Sequence, residues 1–188
     1  YYITVMNENY VHPPMPEGAE AGILKGLYLL KKARRARKAT PRVRLIGSGT
    51  ILNEALAAGE LLMRDYGVQS DIWSVTSFNE LTRDGRAASR HNRHHPEGPA
   101  KNAYVTQCLE NDDAPVIAAT DYVRSYADQI REFVPARYVV LGTDGFGRSG
   151  TRAQLRQFFE VNRWYIALTA LKALAVEGQV PASTLSDA

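Results

Sequence analysis

Short apolar runs alternate with segments of helical periodicity along most of this 188-residue chain. The runs have the length of ordinary β-strands, which are about 3–10 residues long in globular proteins. Strands and helices that alternate in this way pack as a parallel or mixed sheet covered by helices on both faces. The sequence therefore predicts an α/β fold, a three-layer sandwich built on one mostly parallel sheet.

Turn or cap residues bound each run that is predicted to be a strand. The five predicted strands are Ile3–Met6, Val43–Ile46, Asp71–Val75, Val116–Thr120 and Tyr138–Leu141. The second, fourth and fifth of these are almost continuously apolar, so we expect them in the centre of the sheet, buried on both sides.

Apolar residues at helical spacing and capping signals predict six helices. They run from Glu17 to about Lys38, over Thr50–Tyr66, from Ser77 or Asn79 to Arg90, over Asp121–Phe133, over Thr151–Phe159 and over Trp164–Val176. The segment Arg90–Asn102 contains prolines and a glycine and is predicted to be a surface loop. No internal boundary is evident. We expect residues 1–188 to form a single domain, and the lack of an initiator methionine suggests an excerpt of a longer protein.

Composition excludes several classes of protein. The single cysteine, Cys108, rules out an internal disulfide framework and favours a reducing compartment such as the cytoplasm. No apolar run approaches the roughly 20 residues that span a bilayer. The positive charge is concentrated between Lys25 and Arg44, where no acidic residue occurs. A nucleic-acid-binding character of the whole chain is therefore not indicated.

Three long segments carry a resemblance to a known family. They are YYITVMNENY with MPEGAEAGILKGLY, then VRLIGSGTILNEALAAGELLMRDYGVQSDIWSVTSFNELTRDG, and YVVLGTDGFGRSGTRAQLRQFFEV. Together they resemble the C-terminal domain of homodimeric-type bacterial pyruvate dehydrogenases, which are transketolase-like. The resemblance covers nearly the whole chain and implies a C-terminal domain of a multidomain enzyme, built on a five-stranded mixed sheet.

The resemblance also implies a division of labour within the parent enzyme. Such enzymes decarboxylate pyruvate on thiamine diphosphate with Mg²⁺ and transfer the acetyl unit to lipoyl groups. The motifs that bind both cofactors lie in earlier domains and are absent from this sequence. We therefore assign no catalytic, cofactor-binding or metal-binding residue here, and we expect the chain alone to be inactive. The implied partners are a second subunit of a homodimer and the dihydrolipoamide acyltransferase core.

The most informative local feature is the glycine-rich loop after the last predicted strand. Open α/β sheets place their binding clefts beyond the carboxyl ends of their strands. We expect this loop to face the cofactor-binding domains, although a simple strand-to-helix turn remains the plain alternative. The candidate interface residues are Asp144, Phe146, Arg148 and Ser149.

A basic run occurs at the end of the first predicted helix. It is either a solvated helix end or a docking patch for an acidic partner, such as the acyltransferase core. Its residues are Lys31, Lys32, Arg34, Arg35, Arg37 and Lys38. Two further functions remain open: another transketolase-like activity of the parent enzyme, and an independent protein-binding module that uses the basic run.

Three other features favour structural interpretations. The turn Gly47-Ser48-Gly49 precedes a predicted helix but lacks the rest of a dinucleotide-binding fingerprint. His91, His94 and His95 lie among arginines, which disfavours a metal site and favours a solvated loop. The apolar set around Trp164 and Leu168 is predicted to be core or subunit interface.

Overall fold

The computed structural model describes residues 3, 8–33 and 40–186. The strands are β1 (Leu27–Lys31), β2 (Arg42–Ser48), β3 (Gln69–Val75), β4 (Val116–Ala119) and β5 (Tyr138–Leu141). The helices are α1 (Glu20–Lys25), α2 (Ile51–Tyr66), α3 (Phe78–His94), α4 (Tyr104–Leu109), α5 (Arg124–Asp128), α6 (Arg152–Phe158) and α7 (Arg163–Val176). Two 3₁₀ helices, Arg131–Phe133 and Ala182–Leu185, complete the described elements.

The five strands form one mixed sheet in the order β1-β3-β2-β4-β5. Strands β2 to β5 are parallel, whereas β1 pairs antiparallel with β3. Strand β4 is the sequence Val-Ile-Ala-Ala and is buried at every position, as expected for a strand covered on both faces. The predicted α/β fold with a five-stranded mixed sheet is confirmed.

Two apolar clusters occupy the two faces of the sheet. On one face, α2 and α7 pack on Leu45 of β2 and Ile117 of β4. On the other face, α3, α4 and α5 pack on Ile46, Ala118 and Val140. Alternate residues of the same strands thus enter opposite clusters, which produces the three-layer sandwich.

The prediction of one long helix from Glu17 to Lys38 is wrong. The helix ends at Lys25, and the chain turns at Gly26 into strand β1. Gly26 adopts a φ of 99°, and a Cβ atom there would lie 2.5 Å from the carbonyl oxygen of Ser77. Only glycine fits both constraints. Strand β1 takes the place of the predicted strand Ile3–Met6 in the five-stranded sheet. Ile3 has no regular structure, and residues 4–6 lie outside the described residues.

Strand β5 lies at an edge of the sheet, not in its centre as predicted. Its Val139 and Leu141 are only partly buried. The central position was predicted because the sequence of β5, Tyr-Val-Val-Leu, is as apolar as those of the central strands. An apolar strand at an edge of the sheet has only one neighbouring strand.

Two further helical predictions need correction, and one helix was missed. The segment Asp121–Phe133 contains the short α5 and a 3₁₀ helix instead of one continuous helix. Helix α3 begins after the predicted cap Ser77 but continues to His94, so the predicted loop starts later. Helix α4 was not predicted. None of the helices in the described ranges is long and apolar enough to cross a membrane.

Candidate interface site at the carboxyl edge of the sheet

The strand order of the sheet changes direction between β2 and β4, so this is its topological switch point. The connection from β2 leads to β3 on one side, and the later connection leads to β4 on the other. Just beyond this point, the buried hydroxyl of Ser48 donates a hydrogen bond to that of Thr120 at 2.9 Å. Open α/β sheets form their clefts at such a position. The carboxyl edge of this sheet is therefore the natural place to search for a site.

The turn Gly47-Ser48-Gly49 has a packing role at this edge. A Cβ atom on Gly47 would lie 2.6 Å from the Cα of Leu52, so helix α2 approaches the end of β2 too closely for any side chain. Gly49 has a φ of 56°, which also favours glycine. Close helix–strand packing accounts for both glycines.

The loop after β5 is tied to the segment that follows β4. The backbone amide and the hydroxyl of Thr143 donate to the carbonyl oxygens of Tyr122 and Asp121, at 2.8 and 2.6 Å. The carboxylate of Asp144 accepts a hydrogen bond from the backbone amide of Arg124 at 3.0 Å. The carboxylate thus bonds another segment instead of its own backbone, and it fixes the beginning of the loop.

The tip of the loop projects into solvent. Phe146 is 93% exposed, and Arg148 and Ser149 are exposed as well. The guanidinium of Arg148 lies over the ring of Phe158, 5.3 Å from its centroid. A large aromatic side chain held out by an anchored loop has no role in the core of this chain. The fold thus places the four predicted interface residues in one loop at one edge.

Three arginines line a cavity of about 290 Å³ between this loop and the beginning of α2. Arg148, Arg152 and Arg156 are spaced four residues apart and face the cavity from α6 and the residues before it. Two of them also bind the N-terminal segment, because Arg152 pairs with Glu8 and Arg156 donates to the hydroxyl of Tyr10 at 3.3 Å. Residues 8–10 are therefore held at the carboxyl edge.

Glu54 of α2 forms the most buried ion-pair group near the site. Its carboxylate accepts from Arg156 at 3.1 Å and from the backbone and side chain of Arg163 at 2.9 and 3.0 Å. Burial alone would raise the pKa of Glu54, but the hydrogen bonds from Arg163 and the charges of both arginines lower its pKa below the usual value. The group connects α2, α6 and α7 behind the loop.

The predicted docking patch is only partly described. Lys31 ends β1 instead of a helix, and Lys32 follows it; both are exposed, and Lys31 lies 3.6 Å from Glu60. They border a groove of about 360 Å³ beside Met63 of α2. The other predicted patch residues, Arg34, Arg35, Arg37 and Lys38, lie outside the described residues.

A second ionic cluster at the opposite edge of the sheet was not predicted. Arg44 is only 2% exposed and donates to the carboxylate of Asp112 at 2.5 Å. Arg42 pairs with both Asp71 and Asp112. The sequence placed Arg44 in a central strand but gave no sign of its distant acidic partner, because the two are far apart in the chain.

The histidines belong to the end of α3 and the residue after it, not to a loop. The rings of His91 and His95 stack with centroids 4.3 Å apart, and Nδ1 of His95 lies 2.9 Å from the carbonyl oxygen of His91. Among the described residues, no group of three or more His, Cys, Asp or Glu side chains is placed to hold a metal ion.

Comparison with known proteins gives consistent matches. A family model described as the transketolase-like TK C-terminal domain matches residues 26–162. The whole chain is 54% identical to the pyruvate dehydrogenase E1 components of Pseudomonas aeruginosa and of Cupriavidus necator, and 48% identical to that of Escherichia coli K12. The chain spans only 21% of the length of each of these relatives.

Solved structures of lower sequence identity share the fold. A transketolase from Pichia stipitis superposes with a TM-score of 0.58 at 17% identity, over 88% of this chain and 20% of its own. The transketolase from Leishmania mexicana gives a TM-score of 0.55 at 16% identity, over 88% of this chain and 21% of its own.

Proposed function

The chain belongs to the transketolase-like C-terminal domain family, and we propose that it is the C-terminal assembly domain of a pyruvate dehydrogenase E1 component. The observation that carries the proposal is 54% identity, maintained over the whole chain, to relatives of that name. The complete enzyme would decarboxylate pyruvate on thiamine diphosphate and transfer the acetyl unit to lipoyl groups, in the cytoplasm. The activity belongs to the longer protein, of which this chain corresponds to about a fifth.

We assign the cofactors of the proposed enzyme to its other domains. Thiamine diphosphate would supply the carbanion chemistry of decarboxylation, with Mg²⁺ holding its phosphates. The described residues do not fit Mg²⁺, since they contain no cluster of potential metal ligands and Asp121 is the only acidic residue that lines the carboxyl-edge cavity. No reaction step is therefore assigned to a residue of this chain.

The role proposed for this chain is to brace the enzyme through its carboxyl-edge loop. Phe146 is the apolar anchor, and Asp144 holds the loop in place through Arg124. Arg148 and Ser149 offer hydrogen-bond donors beside the anchor. An exposed aromatic residue surrounded by polar groups on a fixed loop is typical of the centre of a protein–protein contact. The partner surface would be a cofactor-binding domain of the same homodimer.

The test of this function is pyruvate-dependent reduction of an artificial electron acceptor, with thiamine diphosphate and Mg²⁺ added. We expect activity from the full-length protein and none from the 188-residue chain. Activity of the isolated chain would overturn the proposal that its residues take no part in catalysis. A full-length protein that rejects pyruvate would remove the enzyme assignment.

We further propose that the basic run contacts the dihydrolipoamide acyltransferase core. Lys31 and Lys32 are exposed beside a groove that also offers the apolar side chain of Met63. Charge reversal of Arg34, Arg35 and Arg37 together should weaken assembly with the core in a salt-sensitive way. Unchanged assembly would show that the run is a solvated segment.

Another transketolase-like activity is the alternative for the longer protein. Solved transketolase structures share the fold of this chain at 16–17% identity, which establishes the fold and not the activity. Because the fold is common to both activities, sugar phosphates and other 2-oxo acids should be assayed beside pyruvate. Turnover of a sugar phosphate without turnover of pyruvate would decide for the alternative.

A further inference from the structure

Helix α7 carries apolar side chains on its solvent-facing side as well as on the side that packs in the core. After Arg163 its sequence contains a single charged residue, Lys172. Its inner side chains pack in the core, but Trp164 is 58% exposed and Leu168 is 37% exposed on its outer side. A helix that is hydrophobic all round is normally buried on all sides. The outer side of α7 therefore lacks the cover that its sequence calls for.

Strand β5, which lines a groove together with α7, is partly covered: Tyr138 and Val140 are buried, whereas Val139 and Leu141 are partly exposed. The carbonyl oxygens of Arg137 and Leu141 accept hydrogen bonds from β4. Because backbone groups alternate in direction along a strand, the amide and carbonyl of Val140 point away from β4, but Val140 is only 1% exposed, so neighbouring segments already cover them. Natural proteins protect such edges with charges, prolines, bulges or another element. Here the charged side chain of Arg131 donates to the carbonyl of Tyr138 at 2.7 Å, while the apolar side chains of Val139 and Leu141 stay partly exposed.

A groove lies between strand β5 and helix α7. It has a volume of about 560 Å³ and is lined by Val139 and Leu141 of β5, by Ala173 and Val176 of α7, and by Phe158. The groove continues to Gly142 and Asp144, at the beginning of the loop described above. We call the groove and the exposed side chains of Trp164 and Leu168 on α7 the α7–β5 flank; these two side chains do not line the groove itself.

We infer that the α7–β5 flank is a docking surface for another domain of the same, longer polypeptide. The inference rests on the proposed function and extends its contact from the loop tip along a whole side of the sheet. The chain spans 21% of the length of its relatives, so in such proteins about four fifths of the polypeptide is available to cover this surface. A domain joined through the chain meets the flank at a high effective concentration.

The charges of the flank specify the chemistry of the partner surface. Arg137 is paired with Glu177, and Arg124 lies 4.0 Å from Asp144. Lys172 lines the groove and has no ion pair within the described part of the chain. The docked surface should therefore be mainly apolar, with a carboxylate opposite Lys172.

Cysteine labelling of the full-length protein tests the flank. Trp164→Cys places a thiol on the flank, and Met63→Cys places one on α2, where Met63 is exposed to a similar extent, 52%. Both variants are treated with a maleimide in the purified native protein, without the acyltransferase core, and the modified peptides are quantified by mass spectrometry. Rates are referred to those of the same variants in denaturant.

Docking predicts that the thiol at position 164 reacts at least about tenfold more slowly than the thiol at position 63, because it reacts only through local opening. Equal rates at the two positions would overturn the inference. A denaturing gel after treatment with a thiol–amine cross-linker then identifies what covers the flank. A cross-link from position 164 that leaves the mass of a single chain, and that joins a residue outside these 188, supports the proposal.

A doubled mass would assign the flank to a second copy of the chain and overturn the choice of partner. These outcomes are independent of the pyruvate assay, since labelling reports burial and not turnover. Slow labelling in a protein that rejects pyruvate would retain the docking surface and remove the enzyme name. Fast labelling in an active enzyme would do the reverse.

Discussion

Glu54 and Arg163 bind each other through three hydrogen bonds that link helix α2 to helix α7. The carboxylate accepts from the backbone amide, Nε and Nη2 of Arg163 at 2.9, 3.0 and 3.1 Å. The same carboxylate binds Arg156 of α6. Helices α2, α6 and α7 therefore share one buried negative charge. Substitution of Glu54 is the most direct test of this arrangement.

Glu54→Gln should destabilise the chain by about 2–4 kcal/mol, between the values for exposed and for buried ion pairs, because Arg163 is half-exposed. Unfolding in urea measures the effect. Glu60→Gln is the matched control on the same helix. Glu60 is exposed and pairs only with Lys31, so we expect a change within about 0.5 kcal/mol. Equal losses at the two positions would contradict the proposed importance of the buried group.

The stability difference between the chain and Glu54→Gln should depend on pH. The pKa of Glu54 is lowered by folding, so its contribution is fully present above the ordinary carboxylate pKa of about 4.3. It is lost as the pH falls through the lowered pKa. Urea unfolding at a series of pH values should show the two curves converge in acid. Curves that stay parallel would exclude this linkage.

Gly85→Ala should destabilise the chain although alanine is the better helix former. A Cβ atom at position 85 of α3 would lie 2.4 Å from the ring of Phe133. The overpacking cost of about 1–3 kcal/mol exceeds the gain in helix propensity of about 1 kcal/mol. Thermal unfolding measures the balance. Gly147→Ala, where a Cβ atom meets nothing within 4 Å, is the control and should leave stability unchanged.

Tyr138→Phe should cost about 1–3 kcal/mol, because the buried carbonyl of Ala127 loses the hydroxyl that donates to it at 2.9 Å. Burial also raises the pKa of Tyr138. The unfolded chain therefore releases this proton first, and the contribution of Tyr138 falls as the pH rises above about 10. Unfolding free energies across alkaline pH check both effects. Tyr122→Phe, at an exposed ring, is the control and should leave the unfolding free energy at neutral pH unchanged.

Phe146→Ser should separate stability from assembly. The side chain is almost fully exposed here, so the unfolding free energy of the 188-residue chain should change by less than about 0.5 kcal/mol. In the full-length protein the same substitution should lower pyruvate-dependent activity, because an aromatic anchor of the interface is lost. Leu24→Ser, at an exposed residue of α1, should leave activity unchanged. Full activity of Phe146→Ser would remove Phe146 from the proposed contact.

The sequence predicted those elements whose determinants are local. Helix α2 lies almost where its pattern placed it, with Gly67 as its left-handed cap, and α3 is capped by Ser77, one of the two predicted cap residues. Strand β1 was not predicted, because the apolar residues of Leu27–Lys31 continue the helical spacing of α1. Helix α1 ends and strand β1 begins at Gly26, where the backbone packs closely against Ser77, a residue distant in the chain. Local periodicity contains no information about such a contact.

The candidate site shows the same limit. Glycine content was enough to identify the loop that contains Asp144 and Phe146. It did not reveal that Asp144 bonds to Arg124 or that Glu54 lies behind the loop with two arginines. The edge position of β5 was also hidden, since strand order is decided by packing between segments distant in the chain. The proposed interface role of the loop remains a prediction.

The antiparallel direction of β1 determines where a polypeptide joined ahead of residue 8 must emerge. Leu27 pairs with Val75, so β1 begins at the edge where the parallel strands end. The ion pair between Glu8 and Arg152 holds residue 8 at that same edge. A domain tethered there could search only a small volume around the Phe146 loop. The entropy cost of its docking would be largely met by the covalent connection.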